Sequence, residues 1–223
     1  MRLLVVRLAN AFLRIFFRLL YNQFAWAYDT VAAVVSAGLW NQWVVSIHPY
    51  LDEDPVLELG FGTGHLQAFL LERGIQTVGL DQSRQMATIT GRRLRAAGRI
   101  YSLVTGRSQY IPLSSGVFSR VVATFPSDFI VDPDTLSEIW RVLAPGGRLI
   151  VVPNAWITGE SIPHRFSAWL FHITNESPPS EKISSTWIGT LVGRLSELGF
   201  LLEQTILKTS SSSLFLVDAK KPK

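Results

Sequence analysis

No cysteine occurs anywhere in the 223 residues. That absence excludes disulfides, thiolate nucleophiles and cysteine-ligated zinc or iron–sulfur centres, and leaves the cytoplasm as the default compartment. Charge is scarce as well: Asp, Glu, Lys and Arg make up 17% of the chain against 48% hydrophobic residues, an apolar balance for a soluble protein. Acidic residues are missing altogether before Asp29, so Arg2, Arg7, Arg14 and Arg18 leave the opening segment uncompensated. The remainder sums close to neutral, apart from Lys220, Lys221 and Lys223 at the end. Nucleic-acid surfaces spread basic residues along a groove with aromatics between them. Basic charge on an apolar segment points instead to anionic lipid, so no nucleic-acid partner is expected. The length suits one domain with appendages and a core large enough to fold without cross-links.

What is there begins with residues 3–20, LLVVRLANAFLRIFFRLL. At helical spacing Arg7, Arg14 and Arg18 fall within about 40° of one another, opposite a wide arc that includes Leu13, Phe16, Phe17 and Leu20. Spanning a bilayer would cost roughly 2.5–3.5 kcal/mol for each arginine near its centre. The same arginines interrupt any signal-peptide core. Two readings fit: an interfacial helix on an anionic membrane surface, and a helix that packs its apolar face on the domain or a partner. The first places the protein in the cytoplasm, peripheral on the inner face of the membrane.

Residues 21–51 keep helical spacing with breaks near Gly38 and Pro49. Residues 1–50 are therefore expected to form amphipathic and capping helices, and 51–223 the main domain. From Pro55 onward, short apolar runs alternate with amphipathic stretches. VLELG, QTVGLD, 101–105, FSRVVATF and RLIVVP read as strands. The stretches 65–73, SRQMATITGRRLRAAG and DPDTLSEIWRVLA read as helices, with Ser83 and Asp132 as N-caps and Pro133 in a first turn. Pro145, Gly146 and Gly147 read as a tight turn. Residues 153–186 break the rhythm, being rich in Pro, Ser and aromatics, and read as a lid-like insertion. TWIGTLVGRLSELG is the last helix. FLLEQTIL and SLFLVDAKK, separated by Ser210–Ser213, form an antiparallel hairpin. Alternating strands and helices imply parallel pairing through right-handed crossovers.

Glu58-Leu59-Gly60-Phe61-Gly62-Thr63-Gly64 stands where a buried strand meets a helix. Glycines there permit positive φ and close approach of a ligand, and the helix start offers free N–H groups to an anion. Asp81 ends the next strand, placed to accept hydrogen bonds from a ribose diol. G-x-G-x-G preceded by Glu differs from the dinucleotide pattern G-x-G-x-x-G, which weighs against a nicotinamide dehydrogenase.

With these residues in hand, the chain resembles the class I S-adenosylmethionine (SAM)-dependent methyltransferases, in the type 11 branch with the ubiquinone/menaquinone-type and other small-molecule enzymes. VLELGFGTGHL resembles the family's first motif and TVGLDQSRQM its second strand. IPLSSGVFSRVVATF and EIWRVLAPGGRLIVV resemble its fourth- and fifth-strand segments, and the likeness covers roughly residues 21–219. The resemblance implies an α/β, Rossmann-like sheet of seven mostly parallel strands with an antiparallel terminal hairpin, plus N-terminal amphipathic helices. It implies SAM as cofactor and S-adenosylhomocysteine as product. Glu58, Gly60, Phe61, Gly62, Thr63 and Gly64 would line the methionine part, Asp81 the ribose, and Gln82 and Met86 the adenine. Tyr28 would close over the cofactor, with Tyr21 behind it. Two positions depart from the family: Gly106-Arg107-Ser108 lacks its usual acid, which either weakens adenine selection or moves it to Ser108 or a backbone group, and Phe118-Ser119 replaces Phe-Asp.

Methyl transfer from a sulfonium is an in-line displacement in which the protein mainly orients and polarises. No catalytic residue is assigned. His48, His164 and His172 are the candidate bases, each more readily read as structural or surface histidines, and their spacing makes no metal site. The appendages suggest a small or lipid-like acceptor, a phospholipid headgroup amine or an isoprenoid quinone. The alternatives are a soluble metabolite as acceptor and a membrane-tethered SAM-binding protein without catalysis.

Overall fold

The computed structural model describes residues 28–158 and 186–223. The arginine-striped segment 3–20, Tyr21, His164, His172 and most of the expected insertion lie outside the described residues. Two short helices open the described chain, α1 (Tyr28–Val35) and α2 (Trp40–Val45), parted at Gly38 with φ +82°. Pro49 falls in a 3-10 turn, His48–Tyr50. The breaks expected at Gly38 and Pro49 are both present. Arg120 anchors this entry, donating from Nε to the Tyr50 carbonyl at 3.1 Å and from its guanidinium to Glu53 at 3.0 Å.

The domain then alternates: β1 (Val56–Leu59), α3 (His65–Glu72), β2 (Thr77–Asp81), α4 (Arg84–Ala96), β3 (Ser102–Thr105), β4 (Phe118–Thr124), α5 (Pro133–Val142) and β5 (Leu143–Ile157). α6 (Thr186–Glu197), β6 (Leu201–Lys208) and β7 (Ser212–Lys220) complete it. The seven strands lie in the order β3-β2-β1-β4-β5-β7-β6. β1 to β5 are parallel where they pair, and β7 is antiparallel to both β5 and β6. This is the Rossmann-like sheet with an antiparallel terminal hairpin that the sequence led us to expect. Both expected N-caps are made: Ser83 Oγ accepts from the Met86 amide at 3.3 Å, and Asp132 Oδ1 from the Asp134 amide at 2.9 Å.

Period-two alternation divides the core between the two faces of the sheet. Val121, Leu149, Val151, Phe215 and Val217 pack with Leu136 and Ile139 of α5 and Leu191 and Leu195 of α6. Val122, Ile150, Val152, Leu214 and Leu216 pack with Trp43 of α2 and Leu66 and Leu70 of α3. Every one of these inward side chains except Phe215 and Trp43 is wholly buried.

β5 differs from the reading of its sequence at both ends. The Pro145-Gly146-Gly147 turn is a bulge inside the strand: the register against β4 shifts between Phe118 and Arg120, and Gly146 has φ +80°. A Cβ at Gly147 would stand 2.9 Å from the Ala144 carbonyl oxygen and 3.1 Å from that of Phe118, so only glycine lets the strands close up there. At the far end the strand continues through Pro153 to Ile157, paired with β7 after a second register shift between Val151 and Asn154. A segment rich in Pro and aromatics thus begins as strand, because its backbone groups find partners along β7 before leaving the sheet.

Candidate functional site

β1 is central, with β2 on one side and β4 on the other. The chain order reverses at this point, so a crevice opens beyond the carboxyl ends of β1 and β4, where open α/β sheets receive ligands. The turn 60–64 occupies it. Gly60, Gly62 and Gly64 have φ of +72°, +52° and +79°, a run that other residues adopt only with strain. Gly64 is the left-handed N-cap of α3.

The turn is held from four directions. Gly60 donates to the Leu80 carbonyl at 2.7 Å, and Thr90 of α4 donates to the Gly62 carbonyl at 2.8 Å. Asp81 bridges the turn and the start of α4, accepting from the Gly62 amide at 3.0 Å through Oδ2 and from the Ser83 amide at 2.8 Å through Oδ1. Each carboxylate oxygen carries more than one lone pair and can accept more than one hydrogen bond. Among the described residues, a Cβ built at Gly62 would meet only the Gly60 carbonyl oxygen, at 4.0 Å. That side of the turn is open for a ligand to lie against the backbone.

The fourth hold comes from Asp29 on α1. One carboxylate oxygen accepts from Thr63 Oγ1 at 2.6 Å and faces His65 Nε2 at 3.2 Å. The other accepts from Arg93 of α4 at 2.6 Å, and the same guanidinium donates to the Thr63 carbonyl. Burial raises the Asp29 pKa, but the bonds from His65, Thr63 and Arg93 outweigh it and hold the carboxyl well below its ordinary range. Nothing local in the sequence marks Asp29, because its partners lie 34 to 64 positions away. Replacing Asp29 with Ala is expected to weaken binding of ligands at the turn about tenfold and to lower stability by about 1–3 kcal/mol. Titration calorimetry and urea denaturation of the variant would check this, and wild-type values in both would remove Asp29 from the site.

Glu58 lies beneath the turn and is only 2% exposed. Burial pushes its carboxyl up to about 8, against the bond that Oε2 accepts from Gln67 at 2.8 Å, and the Asp81 carboxylate adds to the rise. Glu58 is therefore neutral over much of the physiological range.

The remaining sequence-chosen residues divide. Phe61 and Met86 are buried against each other with Leu103 packed on them. A Cβ at Gly79 would fall 2.6 Å from the Phe61 ring, so β2 carries glycine to let that ring cross it. Both side chains pack beneath the turn, which leaves the Phe61 backbone as its contribution to the open side. Gln82 is exposed at the rim. Ser108 is half-buried, its hydroxyl 2.9 Å from that of Thr135 on α5. Tyr28 begins α1, and its side chain lies outside the described residues. His48 is exposed, with its ring 5.5 Å from that of Phe69. Among the described residues no group of three His, Asp or Glu is placed to hold a metal ion.

An aromatic wall that sequence reading passed over stands across the crevice. Phe125, directly after β4, has φ +49°, a strained value for an aromatic residue. Its ring lies 4.7 Å from Trp40 and 6.1 Å from Trp43, both on α2. Phe129, a few residues on, would lie 3.5 Å from a Cβ at Gly60 and so covers the turn. The strain at Phe125 was the one available signal, and it exists only in three dimensions.

Comparison with known proteins agrees with this geometry. Residues 57–151 match the family described as a methyltransferase domain. The demethylmenaquinone methyltransferase of Symbiobacterium thermophilum is 34% identical over 144 residues, covering 60% of this chain and 57% of that protein. The demethylmenaquinone methyltransferase of Thermus thermophilus is 31% identical over 139 residues, covering 60% and 63%. The chain thus spans about three fifths of the length of the curated relatives it matches. Among solved structures, a Methanococcus maripaludis protein described as a SAM-dependent methyltransferase superposes with TM-score 0.62 at 18% identity, over 89% of this chain and 92% of that one. At that identity the likeness concerns the fold.

Proposed function

We propose that this chain, whose residues 57–151 form a class I methyltransferase domain, uses SAM to methylate a lipid-soluble acceptor, an isoprenoid quinone ring before a phospholipid headgroup amine. The observation that carries the cofactor reading is the Asp81 carboxylate, clamped across an open glycine turn at the switch point of the sheet. The residues suit the cofactor. The first-turn amides of α3 suit its carboxylate, Asp81 its ribose diol, and the bare backbone at Gly62 a close approach. Gln82 and Ser108 stand on the adenine side.

When bound, SAM supplies a methyl group already activated on a sulfonium. The protein's part is then to fix the line of attack and keep water out. Trp40 and Phe125 present flat apolar surface beside the crevice, which favours a ring-shaped acceptor over a polar metabolite. Both relatives above act, by their names, on demethylmenaquinone. No described helix is long and apolar enough to cross a membrane. In this reading a lipid-soluble acceptor is reached by peripheral attachment from the cytoplasm, with the arginine-striped residues 3–20 on an anionic surface. Residues 1–50 would serve as capping helices, and the segment up to 186 as the cover over the acceptor.

S-adenosylhomocysteine at about 100 times its dissociation constant is expected to stabilise the protein by about 2.7 kcal/mol. NAD is expected to leave it unchanged, and Asp81→Ala to remove the protection. Thermal unfolding measures all three. Protection by NAD would favour a dehydrogenase, while undiminished protection of the Asp81 variant would move the ribose elsewhere.

A further inference from the structure

Residues 82–127 contain seven arginines and no aspartate or glutamate. Two of the seven have partners: Arg93 pairs with Asp29, and Arg120 with Asp52 and Glu53. The other five, Arg84, Arg92, Arg95, Arg99 and Arg107, are exposed, and none is in ion-pair contact with a carboxylate of the described residues. The fold collects three of them on one face. At 100° per residue Arg84, Arg92 and Arg95 fall within about 80° on α4. That face borders β3, the edge strand of the sheet. Between helix and strand runs an open groove of about 610 Å³, lined by these three arginines with Thr88, Tyr101 and Leu103. Arg95 is fixed there by donating to the Tyr101 hydroxyl at 3.0 Å.

At the end of the groove, between Arg99 and Tyr101, Ile100 is 95% exposed. It also borders a second groove of about 270 Å³ with Pro55 and Leu71. One exposed isoleucine means little by itself. An isoleucine held out beside a row of unpaired guanidinium groups is the combination an interfacial surface requires, with the cations among phosphates and the apolar side chain below them. Charge beside an edge strand also deters strand pairing, but either sign would serve that end. Here the sign is uniform across 46 residues. A single-stranded nucleic acid would look for exposed rings to stack on. Beside the arginines of α4 the exposed apolar side chain, Ile100, is aliphatic, and Tyr101 is half-buried with its hydroxyl engaged, while the exposed ring of Tyr110 lies outside the residues lining the groove.

We propose that the face formed by α4 and the β3 edge docks on an anionic lipid bilayer, with Arg92, Arg95 and Arg99 against headgroup phosphates and Ile100 entering the acyl boundary. The charge, groove and exposed isoleucine stand apart from the function proposed above, since Ile100 lies at the amino end of β3, away from the crevice.

The test is co-sedimentation of the full chain with phosphatidylcholine vesicles, with and without phosphatidylglycerol. The wild type is expected to bind only the anionic vesicles, less tightly as salt rises. The triple variant R92E/R95E/R99E is expected to lose binding roughly a hundredfold, at about tenfold or less for each reversed charge. Ile100→Ser is expected to lose several-fold and keep the salt dependence. Protection by S-adenosylhomocysteine should be unaltered in both variants, showing that each is folded. Wild-type vesicle binding by either variant, failure of the wild type to bind anionic vesicles, or retention on RNA but not on vesicles would overturn the proposal. Methyl transfer to a short-chain quinone in detergent separates the two readings. Transfer without vesicle binding removes the docking face alone, and vesicle binding without transfer removes the acceptor alone.

Discussion

Replacing Gly64 with alanine is expected to abolish cofactor binding and to destabilise the domain by about 3 kcal/mol. Two effects add. The residue sits at φ +79°, where a side chain costs about 1–2 kcal/mol. The new Cβ would also stand 2.3 Å from Thr90 Cγ2 and 2.8 Å from Thr90 Oγ1. Thr90 is wholly buried and its hydroxyl holds the Gly62 carbonyl, so it has no free rotamer to retreat into. Relief must come from moving α4 or breaking that bond, and either one opens the turn. Gly62→Ala is the informative partner, because among the described residues its Cβ has room and meets only the Gly60 oxygen at 4.0 Å. That variant should stay folded within about 1–2 kcal/mol of the wild type yet lose most of its affinity, since its methyl occupies the side where a ligand approaches. Urea denaturation and calorimetry with S-adenosylhomocysteine distinguish the pair. Equal loss of stability in both would mean that the turn serves folding alone.

The second large effect concerns Glu58 and pH. A carboxyl whose folded pKa is raised to about 8 from 4.5 binds its proton more tightly in the folded than in the unfolded chain. Between those two values the unfolded state gives up the proton first, so stability falls as pH rises through that window. The full difference is roughly 5 kcal/mol by linkage, large against the whole stability of a domain this size. Glu58→Gln keeps the shape and can still accept the bond from Gln67 Nε2, while removing the titration. The variant is expected to be nearly flat from about pH 5 to 8, and more stable than the wild type at pH 8. Asp29 acts in the opposite sense and elsewhere. Its depressed pKa contributes stability above about pH 4 that is lost on acidification, so it does not blur the window. Parallel slopes for the wild type and Glu58→Gln would mean that Glu58 is ionised in the folded protein.

What could be read from the sequence was whatever depends on neighbours along the chain. β1, its glycine turn and the acid ending β2 are local patterns, as are the caps at Ser83 and Asp132, and all five stand where their spacing put them. Asp29 escaped because its importance lies in Thr63, His65 and Arg93, which only the fold brings to it. Phe125 escaped because its signal is a backbone angle. Phe61 and Met86 were chosen by motif position, and a motif does not say which way a side chain turns. Both are buried against each other, with Leu103 packed on them. The arginines of α4 were in plain view, yet a net charge summed over the whole chain cancels them against acids elsewhere in the sequence.

The central claim is tested most directly by incubating methyl-labelled SAM, the full chain and a membrane extract, and partitioning the products between organic and aqueous phases. Enzyme-dependent label is expected in the organic phase, on a product whose methyl sits on a quinone ring, and it is expected to be lost with Gly62→Ala. Label confined to the aqueous phase, or no transfer from a protein shown to bind the cofactor, would contradict it.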